Sequence, residues 1–220
     1  MFSSRIVRLS SIAVALQLAA GVSFAQATGV ACQLSSDGVQ QSLVDGLDDL
    51  AVGPLAGTLT RTCDASSAWP GGTYTVGAKR GVLQVVETLG SPDYHSLATG
   101  NQDAGMVFGD FAPNANSFWM VVHGADAQGN FVKNTKMHIL VKAVDGTVLW
   151  SKHFLVNGMP YSLGMSGPSP IATVELKRSV PQINGVDDSL AVVDMFATVH
   201  DSSYDGQDVA AQVKRFMGPQ

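Results

Sequence analysis

The residues best placed to do chemistry in this chain are two histidines, His138 and His153, on either side of an Asp145-Gly146 pair. Asp-Gly between alternating apolar residues predicts a two-residue type I′ turn, and such a turn fixes the register of the strands that flank it. Pairing Val144 with Thr147 sets Ala143 opposite Val148, Val141 opposite Trp150, Ile139 opposite Lys152 and His138 opposite His153. Directly opposed side chains on one sheet face lie about 5 Å apart at Cβ, close enough for two imidazoles to share zinc or copper. A metal needs at least one further ligand, and His123 on the preceding predicted strand is the candidate third. Against this stands a plainer reading, in which two polar residues face water on the solvated side of a hairpin.

A second candidate is Asp201-Ser-Ser-Tyr-Asp205-Gly206-Gln-Asp208, which resembles the first half of an EF-hand calcium loop. It has oxygen ligands at the first, third and fifth positions and glycine at the sixth. Gln212 stands where a bidentate Glu belongs, and a strand precedes the loop instead of a helix, so aspartates capping a strand-to-helix turn are the favoured reading. Gly164-Met165-Ser166-Gly167-Pro168 misses the nucleophile elbow, because Pro168 replaces its last glycine. The adjacent acids Asp48-Asp49 and Asp187-Asp188 read as solvated pairs, so no catalytic constellation emerges. Trp69, Tyr74, Tyr94, Tyr161 and Tyr204 lie in or beside Gly- and Pro-rich segments, where an exposed ring can stack on a sugar or anchor a protein. Trp119 and Trp150 alternate with apolar neighbours and are assigned to the interior.

The first 27 residues carry Arg5 and Arg8, an apolar run from Ile12 to Ala20 and small residues ending in Ala25-Gln26-Ala27, the pattern of a bacterial secretory signal. Cleavage is placed after Ala27, with Ala25 as the alternative. The expected location is the periplasm or the medium, and no later apolar run is long enough to cross a membrane. Cys32 and Cys63 are the only cysteines, and in an oxidising compartment they are expected to form a disulfide. Gly29-Val30-Ala31-Cys32 offers lipid attachment as a competing use of Cys32. The net charge of −5 becomes −7 once Arg5 and Arg8 are removed, which argues against nucleic acid as a partner.

The elements that must position these residues are short strands. Apolar spacing over Ser36–Leu50 predicts one helix, Ala56–Cys63 a strand, and Thr73–Val76 and Gly81–Leu89 two more. Gly90–Asn116 reads as a long loop or domain seam, and Asn157–Pro170 as a Gly- and Pro-rich connection. Ser117–His123, the hairpin from Met137 to Val156, Ile171–Lys177 and Leu190–His200 read as strands, and Asp208–Met217 as a C-terminal helix. This pattern predicts an all-β, antiparallel β-sandwich of immunoglobulin-like size with one short N-terminal and one C-terminal helix. Its organisation is a signal over 1–27, an N-terminal part with a disulfide-tied annex over 28–116, and core strands with the last helix over 117–220. The expected function is an exported, non-enzymatic binding protein that meets a protein partner at the bacterial envelope through its loops, without a cofactor. The alternatives are a metal-binding protein or enzyme using zinc, copper or calcium, and a carbohydrate-binding module.

Overall fold

A computed structural model describes residues 29–64, 71–88, 93–100, 104–126, 128–179, 190–205 and 213–219. Two antiparallel sheets face one another across a continuous apolar core. The first sheet runs β15 (Lys214–Pro219), β12 (Tyr161–Ser166), β9 (Ser117–Ala125), β14 (Leu190–Asp201), β7 (His95–Thr99), β6 (Leu83–Glu87), β3 (Gly53–Leu55). Beside it, β2 (Gln40–Asp45) pairs with β14 and carries β1 (Val30–Leu34). The second sheet runs β11 (Val148–Val156), β10 (Thr135–Ala143), β13 (Ile171–Arg178), β8 (Gly105–Ala112), β5 (Thr73–Arg80), β4 (Leu59–Thr62). Each sheet holds strands from both halves of the chain, those after residue 116 lying together (β15, β12, β9 and β14 in the first, β11, β10 and β13 in the second).

The hairpin forms with the expected pairs Val141 to Trp150, Ile139 to Lys152 and His138 to His153. Its loop differs from the two-residue expectation. Gly146 N–H donates to the Ala143 carbonyl at 3.0 Å, Ala143 N–H donates to the Thr147 carbonyl at 2.9 Å, and Gly146 adopts φ 85°. That is a three-residue loop closed by a left-handed glycine. It displaces the pairing by one residue, and a bulge at Leu149 restores it, so every pair from Val141 outward is as predicted. Within the displaced part Val148 is exposed.

Neither expected helix is present where the chain is described. Within Ser36–Leu50 the strand β2 forms, because Leu43 and Asp45 face the core while the backbone completes the ladder of β14. Of Asp208–Met217, residues 208–212 lie outside the described residues, and Lys214–Met217 are strand, paired to β12. The expected seam at 90–116 contains β7 and β8, and the expected connection at 157–170 contains β12. Glycines and prolines there read as breakers, but Gly105, Gly109 and Gly164 sit within strands that other strands cover on both edges.

At one end of the sandwich a buried charge cluster ties the sheets together. Arg61 on β4 donates through Nε and Nη2 to both Asp45 carboxylate oxygens, at 2.6 and 2.9 Å, and through Nη1 and Nη2 to Asp49. Tyr74 Oη donates to Asp45 Oδ2 at 2.8 Å, and Leu47 N–H to Oδ1 at 2.8 Å. Two carboxylates raise the hold of Arg61 on its proton above the ordinary guanidinium level, against the opposite pull of burial, which is the larger single influence. Beside this cluster Cys32 and Cys63 form the expected disulfide, with Cα atoms 5.7 Å apart. Closing that loop stabilises the fold by about 3–4 kcal/mol in the chain-entropy picture.

Removing one partner of a buried ion pair strands the other in a medium that solvates it poorly, at a cost of about 3–5 kcal/mol. Asp45→Ala is therefore expected to lower the urea unfolding free energy by about that much. Asp49→Ala, at an exposed carboxylate, is expected to cost about 1 kcal/mol or less. Equal losses from the two variants would contradict this assignment.

Candidate binding face

Alternation along β9 turns Phe118, Met120 and Val122 into the core and leaves Ser117, Trp119 and Val121 on the outer face of the first sheet. Trp119 is partly exposed there, a correction to its interior assignment, whereas Trp150 is buried as expected. On the next strand Gly164 is its direct partner, and Gly164 is in turn partnered by Phe216 of β15, 46% exposed. A Cβ on Gly164 would collide with the Phe216 ring and with the Phe118 carbonyl oxygen, so the absence of a side chain is what lets that ring lie over the strand. On the other side of Trp119 the same row continues through Ala197, Val44 and Ala31, all small or short. The indole and the phenyl ring thus share one transverse row of low relief.

The neighbouring row, two residues along each strand and so about 7 Å away, carries hydroxyls. Ser117 Oγ donates to Ser166 Oγ at 2.9 Å, and Ser166 Oγ shares a hydrogen bond with Tyr204 Oη at 3.2 Å. Aromatic faces beside a line of hydroxyl donors and acceptors suit a ligand with an apolar flat side and a polar edge.

The aromatics singled out in the sequence do not converge. Trp69 lies outside the described residues. Tyr74 is fully buried on the Asp45 cluster, where burial first and the adjacent carboxylate second push its phenol well above the usual range. It is therefore a core residue and no ligand contact. Tyr161 stacks on Phe154 at 5.7 Å and closes the open side of the sandwich, while Tyr94 is exposed at the start of β7. Asp201 is consumed locally: Oδ1 accepts from Ser203 N–H at 2.9 Å and Oδ2 from Gln40 Nε2 at 2.9 Å. Asp205 ends the 3₁₀ turn Ser202–Tyr204, and Gly206 to Asp208 lie outside the described residues.

The three histidines separate by sheet. His123 is buried in the first sheet, where Nδ1 donates to Asp194 Oδ2 at 2.8 Å and the ring meets the edge of Phe131. His138 and His153 are in the second sheet, opposed as expected, with ring centroids 4.4 Å apart and planes tilted by 33°. His138 Nε2 is engaged by Ser151 Oγ at 2.9 Å and is not free for a shared ligand. Among the described residues no group of three His, Cys, Asp or Glu side chains is arranged to hold a metal ion. No helix there is long and apolar enough to cross a membrane.

Burial, then the neighbouring His153 and Lys177, lower the pKa of His138 below the ordinary imidazole value. As pH falls through about 6.5, the unfolded chain takes up a proton at this position that the folded chain resists, so stability falls with pH in that window. Melting temperatures between pH 8 and 5.5 are expected to drop less in His138→Gln than in the parent; parallel curves would contradict the shift.

No family model matches the chain, and no curated protein matches it. Among solved structures it is similar to a family 6 carbohydrate-binding module, with 18% identity, 55% of this chain and 84% of the other covered, and a TM-score of 0.32. It is also similar to a CBM4 structure, with 14% identity, 64% and 94% covered, and a TM-score of 0.24.

Proposed function

We propose that this chain is an exported, non-enzymatic β-sandwich that binds neutral polysaccharide on the outer face of its first sheet. The observation that carries the reading is the row Phe216, Gly164, Trp119, in which two aromatic side chains flank a residue with no side chain on three adjacent strands. A pyranose ring has one face of C–H groups, which is attracted to the electron-rich face of an aromatic ring, and hydroxyls around its rim. Stacked on this row, its rim would meet the hydroxyls of Ser117, Ser166 and Tyr204. The platform stands on strands instead of loops, so little ordering entropy opposes binding. A protein partner held by end loops has less behind it: of the loop rings singled out, Tyr74 is interior and Tyr161 packs on Phe154.

Affinity electrophoresis through gels containing neutral soluble polysaccharides tests this. The parent protein is expected to be retarded by at least one of them. Trp119→Ala should weaken that retardation about tenfold or more, as truncation of a central aromatic anchor does. Phe216→Ala should weaken it to a lesser degree, and Trp119→Tyr should retain most of it. Unaltered migration of the parent on every neutral polysaccharide, or retardation indifferent to Trp119→Ala, would sink the proposal.

A further inference from the structure

The outer face of the second sheet has a different chemistry. Register places Arg80, Gly105, Lys177, His138 and His153 in a single transverse row across β5, β8, β13, β10 and β11. Every member with a side chain is basic. Five strands side by side make that row roughly 19 Å long. Lys79, at the bulge beside Arg80, and Lys136 and Lys142 on β10 add charge around it. This concentration arises in a chain that is acidic as a whole, at −5. Gly105 lies buried between the Lys177 and Lys79 stems, whose Cβ atoms would stand 3.4 and 3.8 Å from a Cβ placed there.

One acid interrupts this face among the described residues near the row. Glu175 is 5% exposed, and its Oε2 accepts from Lys79 Nζ at 2.6 Å, so its charge is answered locally. Its other oxygen, Oε1, is buried with no hydrogen-bond partner, and so is His138 Nδ1. Buried polar atoms without partners are costly, at about 1–3 kcal/mol each. Lys79, with its side chain half exposed, is the flexible group nearest Glu175.

We infer that this row is a second binding surface, and that its ligand is a linear acidic polysaccharide bearing a carboxylate on its sugar rings. The carboxylates pair with Arg80 and Lys177. Ring hydroxyls supply the donors that Glu175 Oε1 lacks, and a sugar ring is about as wide as the spacing between strands. A DNA backbone fits less well. It offers acceptors only, and finds no aromatic side chain in the row on which to stack a base. The surface lies on the opposite sheet from Trp119 and does not depend on the neutral-glycan reading.

Affinity electrophoresis in low salt with polygalacturonate, its neutral methyl ester and duplex DNA tests the inference with intact protein. Polygalacturonate is expected to retard the parent, the methyl ester and DNA much less, and added salt should release it. Replacing both Arg80 and Lys177 by Gln should weaken binding about tenfold, the sum of two surface ion pairs. Lys133→Gln, which removes one positive charge from the loop before β10, should leave binding unchanged, and Trp119→Ala should retain it. Unchanged melting temperatures would show that the variants fold. Failure of polygalacturonate to retard the parent, equal retardation by the ester, tighter binding of DNA, or indifference to the double replacement would each overturn the inference.

Discussion

The fold depends on a carboxylate that has no business in an apolar interior unless a cation meets it there. Asp45 faces inward on β2 and is fully buried, and Arg61 reaches it from β4 on the opposite sheet. Neither charge is tolerable alone, so the strands that carry them must meet in one arrangement. The same carboxylate takes the Tyr74 hydroxyl and the Leu47 amide, and the latter holds Leu47 at φ 63°, a conformation that a branched apolar residue rarely adopts. Leu47 is thereby turned fully into the core. Next to the cluster, Tyr74 and Phe108 from the second sheet pack on Phe196 from the first, with Phe108 stacked at 4.1 Å. The ion pair therefore sets orientation, and the rings beside it supply apolar burial that an ion pair does not.

From that end the first sheet has to change width, and a bulge on β14 manages the change. Before it, Val192 and Val193 pair with β7; after it, Phe196 to Asp201 pair with β2. Asp194 sits at the bulge and ties down its surroundings, accepting from His123 Nδ1 and from Ser96 Oγ at 2.7 Å. That use explains a buried histidine in chemical terms, without a metal ligand role. The two outer faces inherit opposite characters from these sheets. One carries rings and small residues, the other a row of basic side chains, with a shared core between them.

The parts of this structure legible in the sequence are those where local chemistry decides. Asp145-Gly146 demanded a reversal, and the flanking alternation set which residues face inward: Met137, Ile139, Val141, Trp150 and Val156 are core. The loop type was less legible because a three-residue loop with a compensating bulge yields the same distant register. Helices were expected where apolar residues fell at helical spacing, but Leu43, Asp45 and Leu47 also alternate, and the open edge of β14 selected the extended form. Asp45 was invisible as a core residue because its partner lies 16 positions away on another sheet. Trp119 and Phe216 were missed for a related reason. β9 is apolar on both faces, so its hydrophobicity does not say which face is covered. The available signal was Gly164, a strand glycine whose place a neighbouring ring could fill.

The proposed binding falls to faces rather than edges, because the described edges on the open side are guarded. β11 is a nine-residue edge strand, long enough to recruit another chain. It carries Lys152 on the side of Ile139, and that lysine is exposed, so a strand docking there would have to bury an ammonium against the core side. Further along, the Arg215 guanidinium donates to the Leu149 carbonyl and occupies an acceptor that an incoming strand would need. Arg215 comes from β15, the edge of the first sheet, so the same contact closes the gap between the sheets where Phe154 and Tyr161 stack. A sandwich closed in this way would present the proposed ligands with side chains on a fixed backbone. Its selectivity must then come from which side chains stand in each row, a choice that can vary without disturbing the core beneath.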